Sequence, residues 1–143
     1  MNMTDIIKQA IEIPPKDFYL IEPELFTTLY AMKDKPDFIT AFLGLSSWMG
    51  TSLRSGVWTY YESADKKEID TIIKYLRGYA PKNEIVGMYV LGNHDYSDEK
   101  YQDNFEYPQE WIDESEKIDR WIFDNEEKII RFMQDILRNN FEN

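Results

Sequence analysis

The sequence predicts an all-α protein: a single-domain, irregular bundle of about six to eight helices spanning residues 1–143. Apolar residues recur at helical spacing along most of the chain, and prolines and glycines separate the periodic segments. A hydrophobic fraction of 43% and an aromatic fraction of 15% supply material for one core. No second segment is suited to pair with the one strand-like segment, so a sheet is not expected.

The first three helices are located by capping residues and prolines. Thr4 is the candidate N-cap of the first helix, which a Pro-Pro pair ends. Pro23 and Pro36 are each expected in the first turn of a further helix, where a missing N–H costs little. The polar segment Met49–Gly56 contains two glycines and predicts a loop.

The middle of the chain is divided by glycines and one capping residue. Val57–Tyr61 has strand-like composition but lacks a partner strand, so a short helix is expected. Asp65 should cap a helix that stops at Gly78, and Pro81 should open another that ends at Gly92. Residues 93–107 lack an apolar period and predict a long exposed loop.

Two amphipathic helices are expected to close the chain, over 108–123 and 126–139, with Asn125 as a candidate cap of the second. In both helices several acids lie four residues before a base, which is the order that stabilises a helix. The expected ion pairs are Asp113 with Lys117, Glu116 with Arg120, Asp124 with Lys128, and Glu127 with Arg131.

Negative charge is concentrated in one stretch of the sequence. The formal net charge is -11, and residues 95–127 carry thirteen acids against Lys100, Lys117 and Arg120. The first 92 residues are nearly neutral, with ten bases and twelve acids. This asymmetry predicts a helical body with one anionic face.

Six acids in and after the predicted loop have only Lys100 as a nearby base, and we expect them to bind a partner. They are Asp95, Asp98, Glu99, Asp103, Glu106 and Glu110. Aromatic residues interleaved with them can anchor a contact while the acids steer a basic partner: Tyr96, Tyr101, Phe105 and Tyr107. The alternative is that the loop serves solubility alone. A second aromatic group, Trp58, Tyr60 and Tyr61, is expected in the core.

Composition excludes several classes of function. Cysteine is absent, which excludes disulfides and thiolate chemistry. The amino-terminal residues show neither a secretory signal nor a membrane span, so a cytoplasmic location is expected. A sequence pI near 4.5 argues against direct binding to nucleic acid or anionic membranes.

An enzyme is not expected, because the catalytic motifs lack their required context. Leu91–Asp95 matches the Gly-Asn-His-Asp box of binuclear metallophosphatases, but His94 is the only histidine. The run Asp95–Glu106 mimics the ends of a calcium loop, yet Lys100 occupies the position where the turn needs glycine. A metal-dependent phosphoesterase is therefore disfavoured, and no catalytic residue, metal or other cofactor is assigned.

From about residue 41 to 141 the chain resembles the bacterial DNA-mimic protein family, which is built on a small helical domain of otherwise unknown function. The matching strings are Gly56–Tyr61, the helix Ile69–Leu76 running into Gly78-Tyr79-Ala80, and Ile118–Phe123. The resemblance implies an all-helical fold and no cofactor. In the member that gave the family its label, surface carboxylates imitate DNA phosphates and occupy a DNA-binding protein. The resemblance implies the same use of surface carboxylates here.

Two hypotheses about function follow. The first is a non-catalytic acidic binding protein, in the form of a DNA mimic that occupies a basic DNA-binding protein. The second is an immunity-type protein that neutralises a bacterial toxin, since an acidic surface suits a basic nuclease equally well. Both predict a basic protein as the partner, and a monomer and a dimer remain open.

Overall fold

A computed structural model describes residues 2–102 and 106–141. The described residues form nine α-helices, a 3₁₀ turn at Pro15–Asp17 and no strand, which confirms the all-α prediction. The helices are α1 (Met3–Glu12), α2 (Phe18–Tyr30), α3 (Asp37–Ser55), α4 (Val57–Ser63), α5 (Lys66–Tyr79), α6 (Glu84–Tyr96), α7 (Glu99–Gln102), α8 (Gln109–Asp124) and α9 (Glu126–Phe141). None of these helices has the length and apolar character needed to cross a membrane.

Helix α3 lies at the centre of the domain and packs against α2, α4, α5, α8 and α9. Its buried residues lie on several faces, which is typical of a helix surrounded by others. The prediction of a loop over Met49–Gly56 is wrong, because the helix continues to Ser55. Met49 and Ser52 are both buried in the core, and this packing outweighs the polar, glycine-containing composition. Gly56 then ends the helix with a φ of 95°, a conformation that favours glycine.

The predicted starts of the first two helices are wrong. Asn2, not Thr4, caps α1, since its side-chain oxygen accepts the Asp5 N–H at 2.9 Å. Helix α2 begins at Phe18, so Pro23 lies inside it rather than in its first turn. The fully buried Phe18 anchors that earlier start.

Two further predictions concern capping residues, and a third concerns the start of helix α6. Asp65 does cap α5, because its carboxylate accepts the Lys67 N–H at 2.8 Å. Helix α6 is capped by Asn83, two residues after the predicted opening at Pro81. Asn125 does lie at the cap position of α9, where its carbonyl accepts the Ile129 N–H at 2.9 Å, while its side chain donates to the Trp121 carbonyl at 2.8 Å and closes α8.

The predicted end of α6 at Gly92 is also wrong, and so is the long exposed loop after it. Helix α6 continues to Tyr96, and α7 forms within the expected loop. Gly92 is buried, and the Tyr61 ring of α4 lies against it. The glycine therefore allows α4 and α6 to approach each other closely and does not end α6.

Candidate functional site

Four aromatic rings form a stack where α4, α6 and α8 meet. Trp58 of α4 stacks on Trp111 of α8, with ring centroids 5.1 Å apart. Tyr96, at the end of α6, lies 5.8 Å from Trp58 and 5.9 Å from Trp111. Tyr107 also stacks on Trp111, with ring centroids 4.9 Å apart. The stack joins rings that are up to 53 residues apart in sequence.

These rings border an open cleft of about 460 Å³. We call it the aromatic cleft; its lining residues are Trp58, Thr59, Glu62, Tyr96, Tyr101, Tyr107 and Trp111. Tyr107 is 70% exposed, whereas Trp58, Tyr96 and Trp111 are half-buried. Large rings held in place and partly open to solvent are typical of anchor points in protein interfaces.

The prediction that Trp58, Tyr60 and Tyr61 form a core cluster is correct for two of the three. Tyr60 and Tyr61 are buried, and the Tyr61 hydroxyl donates to the Tyr89 carbonyl at 2.8 Å. Trp58 is half-buried and reaches the cleft instead. Tyr61 packs on both Trp58 and Tyr96, so the two aromatic groups predicted as separate are continuous.

Helix α4 is fixed beneath the cleft by a carboxylate from another helix. Asp119 of α8 accepts the Val57 N–H at 2.8 Å, which satisfies an unpaired donor at the start of α4. Burial raises the pKa of Asp119, while the Val57 N–H opposes that rise. The Trp58 indole N–H donates to the Trp111 carbonyl at 3.2 Å and fixes the ring on α8. Two of the strings on which the family resemblance depends thus contact each other.

The six predicted partner-binding acids differ in exposure and in ion pairing. Asp95 is turned inward, with its side chain only 16% exposed and 3.2 Å from His94. Asp98 and Glu110 share one base, since Lys100 Nζ lies 4.0 Å and 3.6 Å from their carboxylates. Asp95 is therefore a poor candidate for contact with a partner, and Asp98 and Glu110 are poor candidates for unneutralised charge.

Glu99 and Glu106 are exposed, and among the described residues no ion pair includes either of them. Asp103, with Phe105, lies outside the described residues. Glu62 of α4 is a site residue that sequence reasoning missed: it is exposed and lines the aromatic cleft. Its position one helical turn after Trp58 is the signal that could have indicated it.

Nearby charges shift the pKa of one tyrosine of the cleft and of Lys100, which contacts another. Burial raises the pKa of Tyr96, and the negative charge of Glu62 raises it further, which places Glu62 near that ring. A hydrogen bond to Tyr101 raises the pKa of Lys100, as do Glu110 and Asp98. Lys100 Nζ also lies 4.7 Å from the Tyr101 ring centroid, so one cation of the chain already uses an aromatic face here.

The expected ion pairs of the last two helices form in only one case. Glu127 pairs with Arg131 at 2.8 Å, as predicted. The bases of the other three expected pairs form ion pairs with different acids: Lys117 with Glu114, Arg120 with Asp124, and Lys128 with Glu84. Lys117 and Arg120 thus pair with acids of their own helix at i, i+3 and i, i+4, and only Lys128 pairs with an acid of another helix.

The string Leu91–Asp95 lies in the last turns of α6 and not at the end of a strand. The His94 side chain is 72% exposed, and its Nδ1 lies 3.2 Å from the Asp95 carboxylate. Within residues 2–102 and 106–141, no group of three or more His, Asp or Glu side chains could hold a metal ion. The calcium-loop run includes residues that the structure does not describe.

Comparison with protein-family models, with curated proteins and with solved structures finds no match to this chain. The resemblance to the DNA-mimic family stays a prediction.

Proposed function

We propose that the protein is a non-catalytic binding protein that docks a basic protein against the aromatic cleft and the acids around it. The observation that carries the proposal is the combination of an open, stacked aromatic cleft with exposed carboxylates at Glu62, Glu99 and Glu106. Tryptophan and tyrosine carry much of the binding energy in protein interfaces, and surrounding charges select the partner and raise the association rate.

The DNA-mimic form of this function is supported by the family resemblance and by the net charge of -11. A partner held in this way would bind the protein and duplex DNA through the same basic groove. Duplex DNA should therefore displace the protein, and salt should weaken the complex.

Neutralisation of a basic toxin is the second candidate, and the aromatic cleft favours it. A surface that imitates phosphates has no need of stacked rings, whereas stacked rings suit the centre of a specific protein interface. In this form the partner loses its toxic activity on binding, and duplex DNA does not need to compete.

The test is affinity capture with two matched triple variants. One variant replaces cleft-side acids (Glu62→Gln, Glu99→Gln, Glu106→Gln), and the control replaces three exposed acids elsewhere (Glu12→Gln, Glu24→Gln, Asp70→Asn). Both variants lose three negative charges, so a difference between them reports location rather than net charge.

We expect the wild type and the control variant to retain the same basic protein, and the cleft-side variant to lose it. Release by duplex DNA would favour the mimic, and inhibition of a toxic activity would favour toxin neutralisation. Equal retention by the two variants would contradict the proposal.

A further inference from the structure

We propose that the aromatic cleft receives an arginine side chain of the basic partner, with its guanidinium group stacked on the exposed rings and beside the Glu62 carboxylate. This inference rests on the proposed function and specifies the contact at its centre. It assigns the cleft a ligand chemistry, a planar cation on a protein side chain.

The rings offer flat faces that are already ordered. Tyr107 and Trp111 stack at 4.9 Å with an angle of 15° between their planes, and Trp111 and Trp58 stack at 5.1 Å with 24°. Because α4, α6 and α8 carry Trp58, Tyr96 and Trp111, a ligand does not have to order these three rings on binding. The exposed side of Tyr107 and the open cleft leave room for one more planar group.

The charge of the cleft selects a cation. Glu62 lines it, and Glu99 and Glu106 are exposed on the segments that flank it. No base lines the cleft among the described residues. Lys100 shows that a cation is favourable here, since its Nζ lies over the Tyr101 ring.

Arginine fits this site better than lysine. Its guanidinium is planar and weakly hydrated, so it stacks on aromatic faces while its N–H groups still reach a carboxylate. A lysine ammonium keeps its hydration more strongly and presents no flat face. Stacked rings beside a carboxylate therefore favour the planar cation.

The experiment is an NMR titration with three capped tripeptides, Gly-Arg-Gly, Gly-Lys-Gly and Gly-citrulline-Gly. Citrulline keeps the shape of arginine but carries no charge. The chain has four tryptophans, and their indole N–H signals report separate places. Trp58 and Trp111 belong to the cleft, Trp48 is fully buried, and Trp121 donates to Glu84.

We expect saturable shifts at the Trp58 and Trp111 signals with the arginine peptide, weaker binding of the lysine peptide, and none of the citrulline peptide. Tyr107→Ala should weaken arginine binding roughly two- to fivefold, because it removes one exposed cation–π face. Phe123→Ala is the matched control, since Phe123 is an aromatic residue near the far end of α8 that is 67% exposed and does not line the cleft. It should leave the affinity unchanged.

An arginine response equal to that of lysine or citrulline would overturn the proposal, and so would shifts that Tyr107→Ala and Phe123→Ala reduce alike. Loss of fold in Tyr107→Ala would be seen across the whole spectrum, and Glu62→Gln then serves as the second variant. If the arginine peptide fails but capture still depends on the cleft-side acids, the binding function stands and this inference falls. If the peptide binds but the two triple variants capture alike, the proposed function falls instead.

Discussion

Substitution of Gly92 by alanine should destabilise the domain, because α6 crosses α4 too closely for a side chain at this position. A Cβ added there would lie 2.8 Å from Cε2 and 2.9 Å from Cζ of Tyr61, and closer still to its hydroxyl oxygen. Tyr61 is 4% exposed and stacks on Tyr96, so its ring has little room to move away. Its hydroxyl also donates to the Tyr89 carbonyl at 2.8 Å.

The expected loss can be worked from these contacts. Overpacking a core costs about 1–3 kcal/mol, and loss of the Tyr61 hydrogen bond adds about 0.5–1.5 kcal/mol. Replacing glycine by alanine inside a helix returns about 1 kcal/mol. The free energy of unfolding should therefore fall by about 2 kcal/mol for Gly92→Ala, within a range of roughly 0.5–3.5 kcal/mol.

Gly87→Ala is the control in the same helix. Gly87 is exposed, and an added Cβ meets nothing within 4 Å, so this variant should gain about 1 kcal/mol from helix propensity alone. Urea unfolding followed by circular dichroism measures both variants, and the denaturant slope should stay unchanged. If Gly92→Ala is as stable as Gly87→Ala, the reasoning about the α4–α6 contact is refuted.

Three further predictions concern the cap on α4, the buried tyrosines and Lys100, which lies over the Tyr101 ring. Asp119→Ala should lower the free energy of unfolding by about 1–2 kcal/mol, because the Val57 N–H loses its acceptor, whereas Asp119→Asn keeps one; equal losses in urea unfolding would contradict this. Burial raises the pKa of Tyr60 and Tyr89, whose hydroxyl oxygens are 2.6 Å apart. Their contribution to the free energy of unfolding should therefore be fully present below about pH 10, the tyrosine pKa in the unfolded chain. It should fall as the pH rises above that value, and unfolding free energies that stay flat from about pH 8 to 11 would contradict it. Lys100→Met should tighten binding of the arginine peptide roughly two- to fivefold, since it removes a competing cation from Asp98 and Glu110; weaker binding in the same NMR titration would contradict it.

Apolar periodicity was sufficient to predict most of the helices but not where they end. Eight of the described helices correspond to predicted ones: seven were predicted from the helical period, and α4 was expected because its strand-like segment has no partner strand. The errors fall where packing overrides composition. Met49 and Ser52 hold the polar end of α3 in the core, and the close Tyr61 contact keeps Gly92 inside α6. A single sequence does not show these partners, since they come from other helices.

The candidate site was predicted only in part, again because contacts between helices do not show in a single sequence. The sequence indicated acids interleaved with aromatics, and Tyr96, Tyr101 and Tyr107 do line the cleft. It did not indicate that Trp58 and Glu62 of α4 join them, because that contact depends on how α4 packs against α6 and α8. Nor did it show that Asp95 turns inward, which depends on the extension of α6 past Gly92.

The most direct test of the account is the salt dependence of the dissociation constant for the captured partner, measured from about 50 to 500 mM salt. The wild type and the Glu12, Glu24 and Asp70 control variant should weaken steeply and in parallel as screening increases. The Glu62, Glu99 and Glu106 variant should bind more weakly at low salt and depend less on salt. A flat dependence for the wild type, or the same slope for both triple variants, would contradict docking of a basic protein at this face.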